Sequence, residues 1–406
     1  MSALDVTEAH GLGTFAPELA CPSCGGHGLH LFHEQLEIPV HSVRLVETLD
    51  EALGFPRGTL RLGFCGECGF ITNTAYEPAK QDYSLAYEET QGYSPKFRAF
   101  SQDLAARWIS RYGLRGRTVL EIGHGKGEFL ADMIEAGAGH GIGIDPSYDG
   151  RLSGPAAERI TFINDYYSEA YAHLVADAVI CRHTLEHIGT VGELLATVRR
   201  SLSARPGTPV LFELPDVLRV LDEIAFWDIY YEHCSYFTPG SLARAYRHAG
   251  LEVLDLALDY DDQYILIDGR PSRGTALPEH RLEEPVDAVA DAVRAFRRRF
   301  ARIRDGWIGR LAEARAEGRR VVIWGAGSKG VSFLTTLGVE REISYAVDIN
   351  PHKHDKFMAA TGQRVVAPEF LREYRPDLVI AMNPIYLDEI GARLAAMDLR
   401  PELVAA

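Results

Sequence analysis

Short apolar runs alternate with amphipathic stretches through the middle of the chain. A strand that is buried on both faces shows a continuous apolar run, whereas a helix packed on a sheet shows an apolar stripe at a spacing of three and four. This alternation predicts an α/β fold built on a doubly wound parallel sheet. The predicted strands lie at residues 118–122, 140–144, 160–163, 177–181 and 208–213, with helices between them.

Two further patterns flank this region. Apolar residues at helical spacing over residues 97–112 predict a helix that covers the edge of the sheet. A longer stripe over residues 285–318 predicts a long helix, with Pro285 suited to its first turn. The apolar runs at residues 321–324 and 378–382 predict buried strands of a second sheet.

A glycine-rich turn follows the first of the middle strands. It has the spacing E-x-G-x-G-x-G, with Glu121, Gly123, Gly125 and Gly127 at the fixed positions. Glycines at a helix N-terminus let a ligand lie against the backbone, and such a turn alone could serve a dinucleotide, whose usual fingerprint is G-x-G-x-x-G. The spacing here resembles motif I of the class I S-adenosylmethionine (SAM) methyltransferases. Asp145 ends the next strand, where an acid suits ribose hydroxyls.

The bulk composition excludes several classes of function. The chain has 406 residues, which predicts two or three domains, and a formal net charge of −15, which argues against nucleic-acid or anionic-membrane binding. It has no apolar run of about 18 residues and no signal-like N-terminus. We therefore expect a cytoplasmic protein, either a monomer or a homodimer, that acts on a small molecule.

Four of the six cysteines form two C-x-x-C pairs. Cys21, Cys24, Cys65 and Cys68 can supply four thiolates to one ion, which would close a structural zinc site. A catalytic dithiol is an alternative, but redox motifs do not normally come as matched pairs. A nucleic-acid zinc ribbon is another, and the segment between the pairs lacks a basic and aromatic stripe.

Polar residues follow the other predicted strands at their carboxyl ends, where ligands bind in open α/β sheets. Asp165 is a candidate for the adenine amino group, and Tyr166 and Arg182 are further candidates for cofactor binding.

A base, an acid and several phenols crowd together after the fifth strand. His233 is a candidate general base because histidine titrates near neutrality, and a neighbouring carboxylate such as Glu232 can raise its basicity. Tyr230 is placed to support it. The alternative is a core histidine packed beside aromatic residues.

These motifs together resemble the SAM-dependent sugar C-methyltransferases. The resemblance rests on the C-x-x-C pairs, motif I, the H-x-x-E-H run at residues 183–187 and the Y-x-E-H-x-x-Y-F run at residues 230–237, and it covers nearly the whole chain. It implies a zinc-binding module at residues 1–80, a SAM-binding domain at residues 81–268 and a Rossmann-like domain at residues 269–406.

The resemblance also implies a reaction and roles for individual residues. The family acts on nucleotide-linked keto-deoxysugars: a histidine matching His233 removes the proton α to the ketone, and the enolate attacks the methyl group of SAM. A second family histidine matches His187. A tyrosine after the zinc module matches Tyr83, Tyr87 or Tyr93, of which we favour Tyr87.

Two features leave other functions open. The family carries a histidine–glycine–glycine–serine–leucine–arginine run where this chain has residues 261–267, which motivates a non-sugar acceptor for O- or C-methylation. The tail carries a true G-x-G-x-x-G over residues 325–330, with an acid at Asp348, which motivates an NAD-linked oxidoreductase or a binding protein. In the resembling family the tail assists substrate binding, and Gly325, Gly327 and Lys329 could meet a substrate phosphate.

Overall fold

The computed structural model describes residues 11–81, 88, 90–274, 277–339 and 341–406, and within them it contains three β-sheets. The strands are β1 Thr14–Ala20, β2 His27–Pro39, β3 Arg57–Cys65, β4 Ile71–Asn73, β5 Thr118–Ile122, β6 His140–Ile144, β7 Ile160–Ile163, β8 Ala178–Arg182, β9 Val210–Pro215, β10 Ser235–Tyr236, β11 Leu251–Asp259, β12 Tyr264–Pro271, β13 Val321–Trp324, β14 Tyr345–Val347, β15 Arg364–Val366, β16 Leu378–Ala381 and β17 Glu402–Ala405. The α-helices are α1 Leu49–Leu53, α2 Pro95–Arg111, α3 Glu128–Glu135, α4 Val191–Ser201, α5 Val217–Glu223, α6 Pro239–His248, α7 Val286–Ala316, α8 Ser328–Leu337, α9 Leu371–Tyr374 and α10 Leu387–Ala396.

The N-terminal sheet is antiparallel, in the order β1-β2-β3-β4-β10. Its first four strands come from the segment that carries the cysteines. Its edge strand β10 comes from a different part of the chain, directly after the segment that contains His233. The N-terminal module therefore completes its sheet with residues from the middle of the sequence.

The middle sheet has seven strands in the order β11-β12-β9-β8-β5-β6-β7. Strands β5 to β9 are parallel, and β12 runs antiparallel to both β9 and β11. All five strands predicted here form within two residues of the expected positions, and four of them, all but β7, are largely buried. Their carboxyl ends lie at one edge of the sheet.

The expectation of helices between all the middle strands is wrong at two places. The connections before and after β7 form only the 3₁₀ turns Ala157–Arg159 and Glu169–Tyr171. The first connection contains Pro146 and Pro155 with two glycines, which break helices, whereas nothing in the composition of the second accounts for the missing helix.

The tail sheet is entirely parallel, in the order β15-β14-β13-β16-β17. The long predicted helix is α7, which buries Val293 and Phe296 in the hydrophobic core that the N-terminal module and the tail share. The helix predicted over residues 97–112 is α2, which Ser94 caps. Among the described residues, no helix is both long and apolar enough to cross a membrane.

A cavity of about 520 Å³ lies between the middle sheet and the tail. The glycine-rich turn after β5 and the one after β13 both line it, as do His187, Tyr230 and His233. The domain boundaries stay a prediction. The two glycine-rich turns line the same cavity.

Candidate functional site

The turn between β5 and α3 is shaped by its glycines. Gly123 has a φ of +71°, and a Cβ there would collide with the side chain of Thr184. Gly127 has a φ of +81°, and a Cβ there would come within 2.9 Å of the Phe162 ring. Only glycine satisfies both the backbone angle and the close approach. The turn therefore presents bare backbone, including Gly125, to the cavity.

The carboxylate of Asp145 lies at the rim of this turn. Its Oδ2 accepts a hydrogen bond from the Gly125 N–H at 2.8 Å. Its Oδ1 accepts from the backbone N–H of Ser147 at 2.6 Å and from the Ser147 hydroxyl at 2.7 Å. The acid at the end of β6 therefore holds the glycine turn after β5 and faces the cavity, and its role at ribose hydroxyls stays a prediction.

Glu121 and Arg182 line the inner wall of the cavity. Glu121 is 2% exposed, and burial raises its pKa to about 8 although the nearby Arg182 guanidinium opposes the rise. Arg182 is held by Glu213, with nitrogen–oxygen distances of 2.6 and 3.1 Å, and it lies 3.9 Å over the Phe129 ring. The guanidinium is thus already bound to the Glu213 carboxylate, and Arg182 forms part of the cavity wall.

Asp165 and Tyr166 lie at the mouth of the cavity. The Tyr171 hydroxyl donates to Asp165 at 2.5 Å and holds the pKa of that carboxyl below its usual range, together with a bond from the Tyr166 N–H at 2.8 Å. Tyr166 is 60% exposed, which is high for an aromatic residue beside a cavity. Both are in reach of a ligand that extends out from the glycine turn.

His233, Tyr230 and His187 lie together at the cavity wall, where His233 is buried and the other two are half-buried. The Tyr230 hydroxyl and His233 Nε2 are 2.9 Å apart, and the rings of His187 and His233 meet edge to face at 4.9 Å between centroids. Burial lowers the pKa of His233 well below its usual value, and the charges of His187, His183 and Lys329 lower it further. A neutral imidazole at this position can accept a proton.

The expectation that Glu232 contacts His233 and raises its basicity is wrong. The Glu232 carboxylate is fully buried on the other side of the segment, where Oε1 is 3.0 Å from His41 Nδ1 and Oε2 accepts from the Ser42 N–H at 2.7 Å and from the Ser42 hydroxyl. Successive side chains of an extended turn point in different directions, so adjacency in sequence does not bring them into contact. His41 and Ser42 carry no motif that sequence analysis could have detected.

His183 is a cavity residue to which the sequence assigned no role. It has a φ of +46°, which is unusual outside glycine, and its Nε2 is 2.9 Å from Glu213 Oε1. Its Nδ1 is 3.5 Å from Glu186, and its ring meets Tyr264 at 4.5 Å. Burial lowers its pKa, but the two carboxylates outweigh burial and raise the pKa to about 9. The shifts in pKa favour the protonated form of His183 and the neutral form of His233.

The tail contributes a second glycine turn, between β13 and α8. The Ala326 N–H donates to Asp348 Oδ2 at 2.9 Å, and Lys353 Nζ is 3.3 Å from the same oxygen. Lys329 extends from the start of α8 to Asp228, at 2.8 Å, and Arg219 meets the same carboxylate at 2.7 Å. Cationic side chains therefore line this end of the cavity, each already paired with an acid.

The tyrosine expected to enter the site stays a prediction. Tyr83 and Tyr87, the favoured one, both lie outside the described residues. Tyr93 is described, and it lines the cavity with 40% of its surface exposed.

The four cysteines of the N-terminal module converge as the spacing predicts. All four sulfurs lie within 4.8 Å of one another, with Cys21 Sγ 3.7 Å from Cys68 Sγ and Cys24 Sγ 3.8 Å from Cys65 Sγ. Four sulfurs at about 2.3 Å from one zinc ion stand about 3.8 Å apart in a tetrahedron, so these distances fit zinc without rearrangement. A site with four thiolate ligands has no open position for catalysis.

Comparisons with known proteins agree with this architecture. The profile of a methyltransferase domain matches residues 97–256, and that of a C-methyltransferase C-terminal domain matches residues 280–401. The C-methyltransferase NovU of Streptomyces niveus is 28% identical over 299 residues, which cover 70% of each chain.

Solved methyltransferases are similar over part of the chain. The dimethyltransferase RosA of Streptomyces davawensis is 18% identical, with a TM-score of 0.35 over 43% of this chain and 56% of its own. The magnesium protoporphyrin IX methyltransferase of Synechocystis is 16% identical, with a TM-score of 0.34 over 43% of this chain and 84% of its own. The assignment of the fold rests on the strand order described above.

Two matched domains, a C-methyltransferase relative that is 28% identical over 70% of the chain, and the strand order of the middle sheet identify the enzyme class. The protein is a SAM-dependent methyltransferase, and it belongs to the SAM-dependent C-methyltransferase family.

Proposed function

We propose that this enzyme methylates a carbon α to a ketone on a nucleotide-linked deoxysugar, in the cytoplasm. The observation that carries the proposal is the shared cavity, which is lined by the His233–Tyr230 pair and by both glycine turns. One turn would hold SAM, and the other would hold a phosphate-bearing acceptor. A nucleotide sugar has its anionic group at one end and its reactive ring at the other. Such a ligand suits a cavity that has a phosphate-binding turn in one part and a base in another.

The SAM end has the groups that its ligand needs. Gly123, Gly125 and Gly127 offer backbone at a helix N-terminus, and Asp145 offers carboxylate oxygens for ribose hydroxyls. Glu121, Arg182, Asp165 and Tyr166 complete this end. SAM held here would supply a methyl group already activated by its sulfonium, so the chemistry requires no catalytic metal.

At the acceptor end, His233 would act as the base. The C–H bond α to the ketone breaks, the proton passes to Nε2 of His233, and its electron pair enters the enolate. The Tyr230 hydroxyl lies 2.9 Å from this nitrogen. The hydroxyl would turn to the ketone oxygen when the acceptor enters, which frees Nε2 and places a hydrogen-bond donor where negative charge develops. His187, next to His233, would orient the acceptor.

The tail turn would bind the pyrophosphate of the acceptor. Gly325 and Gly327 leave the backbone accessible, and Lys329 and Arg219 supply positive charge next to it. The zinc ion that fits the four cysteines would be structural. The acceptor would be a small molecule, and the enzyme would act as a monomer or a homodimer.

The test is incubation in deuterium oxide with a panel of nucleotide-linked keto-sugars and without SAM, with NMR detection at the carbon α to the ketone. Wild-type protein should exchange that proton, and His233→Ala protein should not, while its SAM affinity stays unchanged. His248→Ala is a matched control because His248 lies exposed on α6, outside the cavity. Retained exchange in the His233→Ala protein would remove His233 as the base.

A non-sugar acceptor is the second candidate, and residues 261–267 favour it. In place of the family's glycine-rich run, Gln263 and Asn383 exchange two amide hydrogen bonds of 3.0 and 2.9 Å at the cavity wall, and Tyr264 packs on His183. An amide pair and an aromatic ring would suit a planar metabolite. Tight SAM binding, with no exchange on any keto-sugar, would support this candidate, and a spectral change with NADH would instead support an oxidoreductase.

A further inference from the structure

The segment that carries His233 is attached to the N-terminal module at several points. We refer to residues 228–237 as the base segment. Its strand β10 pairs with β4, with Ser235 opposite Thr72. The carbonyl of Cys234 accepts from the Asn73 N–H and from the Thr72 hydroxyl, both at 2.9 Å. The position of His233 therefore depends on a sheet that belongs to the zinc-binding part of the molecule.

Glu232 is a second attachment point, on the opposite side of His233 from β10. Its buried carboxylate receives hydrogen bonds from the Ser42 N–H and the Ser42 hydroxyl and contacts His41. Burial opposes ionisation of Glu232, but His41 and Ser42 outweigh it and hold the pKa of this carboxyl below its usual value. A charged, fully bonded side chain of this kind is costly to displace once it is buried.

Ser42 also connects this carboxylate to the tail. Its Oγ lies 2.9 Å from Ser328 Oγ, at the first residue of α8 and beside the glycine turn. A hydroxyl has one proton, so if Ser42 donates to Glu232, its oxygen must accept the hydrogen bond from Ser328. The bonds thus run in one direction, from Ser328 to Ser42 to Glu232. They join the tail, the N-terminal module and the base segment.

We propose that Ser42, Glu232 and Ser328 are positioning residues that fix the distance between the base and the tail glycine turn. This proposal rests on the proposed function, in which one end of the acceptor occupies that turn and the other meets His233. An acceptor held by the tail reaches the base only if the two are in register, and a shift of about 1 Å can cost about 100-fold in rate. Ser42 acts through Glu232 and is not among the residues that line the cavity.

The central variant is Ser42→Ala, with Ser42→Thr as the conservative rescue. We expect Ser42→Ala to lower kcat on the keto-sugar acceptor about 10-fold or more, with little change in SAM affinity, and Ser42→Thr to restore most of it. Thr48→Ala is the matched control. Thr48 caps the exposed helix α1 in the same module, so its loss lowers local stability without touching the three bonded residues.

A second readout does not depend on turnover. In protein with ¹⁵N-labelled histidine, the ring signals of His233, assigned by their loss in His233→Gln, should shift in Ser42→Ala and in Ser328→Ala but not in Thr48→Ala. Because the two serines act in one chain, the double variant should resemble either single variant. Additive effects, or unchanged His233 signals in Ser42→Ala, would overturn the proposal.

The two readouts separate this proposal from the proposed function. Failure of wild-type protein to exchange or methylate any keto-sugar would overturn the proposed acceptor, whereas the NMR comparison would still decide whether Ser42 positions His233. Normal turnover in wild type together with normal kcat and unchanged His233 signals in Ser42→Ala would keep the acceptor and reject the positioning role.

Discussion

Tyr230 and His233 share one hydrogen bond at the cavity wall, and the burial of His233 determines what the pair can do. A buried imidazole with cationic neighbours resists protonation, so the pKa of His233 falls well below its usual value. Tyr230 has its pKa raised by burial and by nearby Asp228, so its hydroxyl keeps its proton. The pair therefore offers one proton acceptor and one hydrogen-bond donor, which is what enolate formation requires.

This state of His233 predicts the pH dependence of α-proton exchange. A base works when it is deprotonated, that is, above its pKa, and a lowered pKa extends that range toward acid. We expect the exchange rate to stay level from about pH 8 to about pH 6. The measurement is the exchange rate without SAM across this range. A fall with a midpoint near the ordinary histidine pKa of about 6.5 would contradict the depressed value.

His183 has the opposite property, and it predicts a pH dependence of stability. Its pKa is raised from 6.5 to about 9 by Glu186 and Glu213 against the effect of burial, so the folded protein binds this proton more tightly than the unfolded chain. The resulting stabilisation is present below about pH 6.5 and is lost as the pH rises through about 9.

Comparison of wild type with His183→Gln measures this contribution. The difference in free energy of unfolding between them should shrink by about 1–2 kcal/mol between pH 6.5 and pH 9.5. His248→Gln, an exposed change on α6, is the control. A constant difference between wild type and His183→Gln would show that His183 is not held as a cation.

At the scale of secondary structure, the two glycine turns use the same device. In each, the acid at the end of the second strand accepts a backbone N–H of the turn after the first strand: Asp145 from Gly125, and Asp348 from Ala326. Each acid also accepts the N–H two residues later, from Ser147 and from Asn350. The domains thus present two similar ligand-binding edges to one cavity.

This likeness supplies a matched pair of variants. A hydrogen bond to a carboxylate contributes about 1.5–3 kcal/mol, so Asp145→Ala should weaken SAM binding about 10- to 100-fold and leave the acceptor KM nearly unchanged. Asp348→Ala should instead raise the acceptor KM and leave SAM binding nearly unchanged. Calorimetric SAM titration and steady-state kinetics check both. Loss of SAM affinity in Asp348→Ala alone would mean that the assignment of the two turns is reversed.

The strands and glycine turns could be predicted because their signals are local. An apolar run such as residues 118–122 indicates a buried strand. The spacing of the glycines indicates where a ligand can lie against the backbone. The failures occur where the decision is not local. Residues 164–177 lie between strands, where a helix is usual, and they contain neither proline nor glycine, yet they form only a 3₁₀ turn.

At the scale of the whole molecule, the candidate site could be predicted only in part. The motifs indicated His233, Tyr230 and His187, which do lie together, and the four cysteines, which do converge. No signal indicated that β10 joins β4, or that Glu232 contacts Ser42 far away in sequence. Such pairings depend on how three domains pack, and the sequence near each residue does not encode that packing.

The packing of the three sheets makes the proposed zinc site relevant to the proposed acceptor site. The second cysteine pair lies in the hairpin between β3 and β4, and β4 is the strand that pairs with β10. Structural zinc binding is folding free energy, so loss of a ligand should loosen this hairpin first and the base segment next. The glycine turn after β5 belongs to a different sheet and should respond last.

The variant Cys24→Ser tests this order. It should lower the zinc content below one ion per chain, lower Tm, and increase amide hydrogen exchange in β4 and the base segment before exchange rises in β5 or β6. Cys181→Ala is the control, because Cys181 is buried in β8 of the middle sheet and its loss destabilises the SAM-binding domain with zinc retained. Unchanged zinc content in Cys24→Ser would exclude this cysteine as a ligand. Earlier exchange in β5 than in β4 would mean that the middle sheet, rather than the zinc-bearing module, holds the base in place.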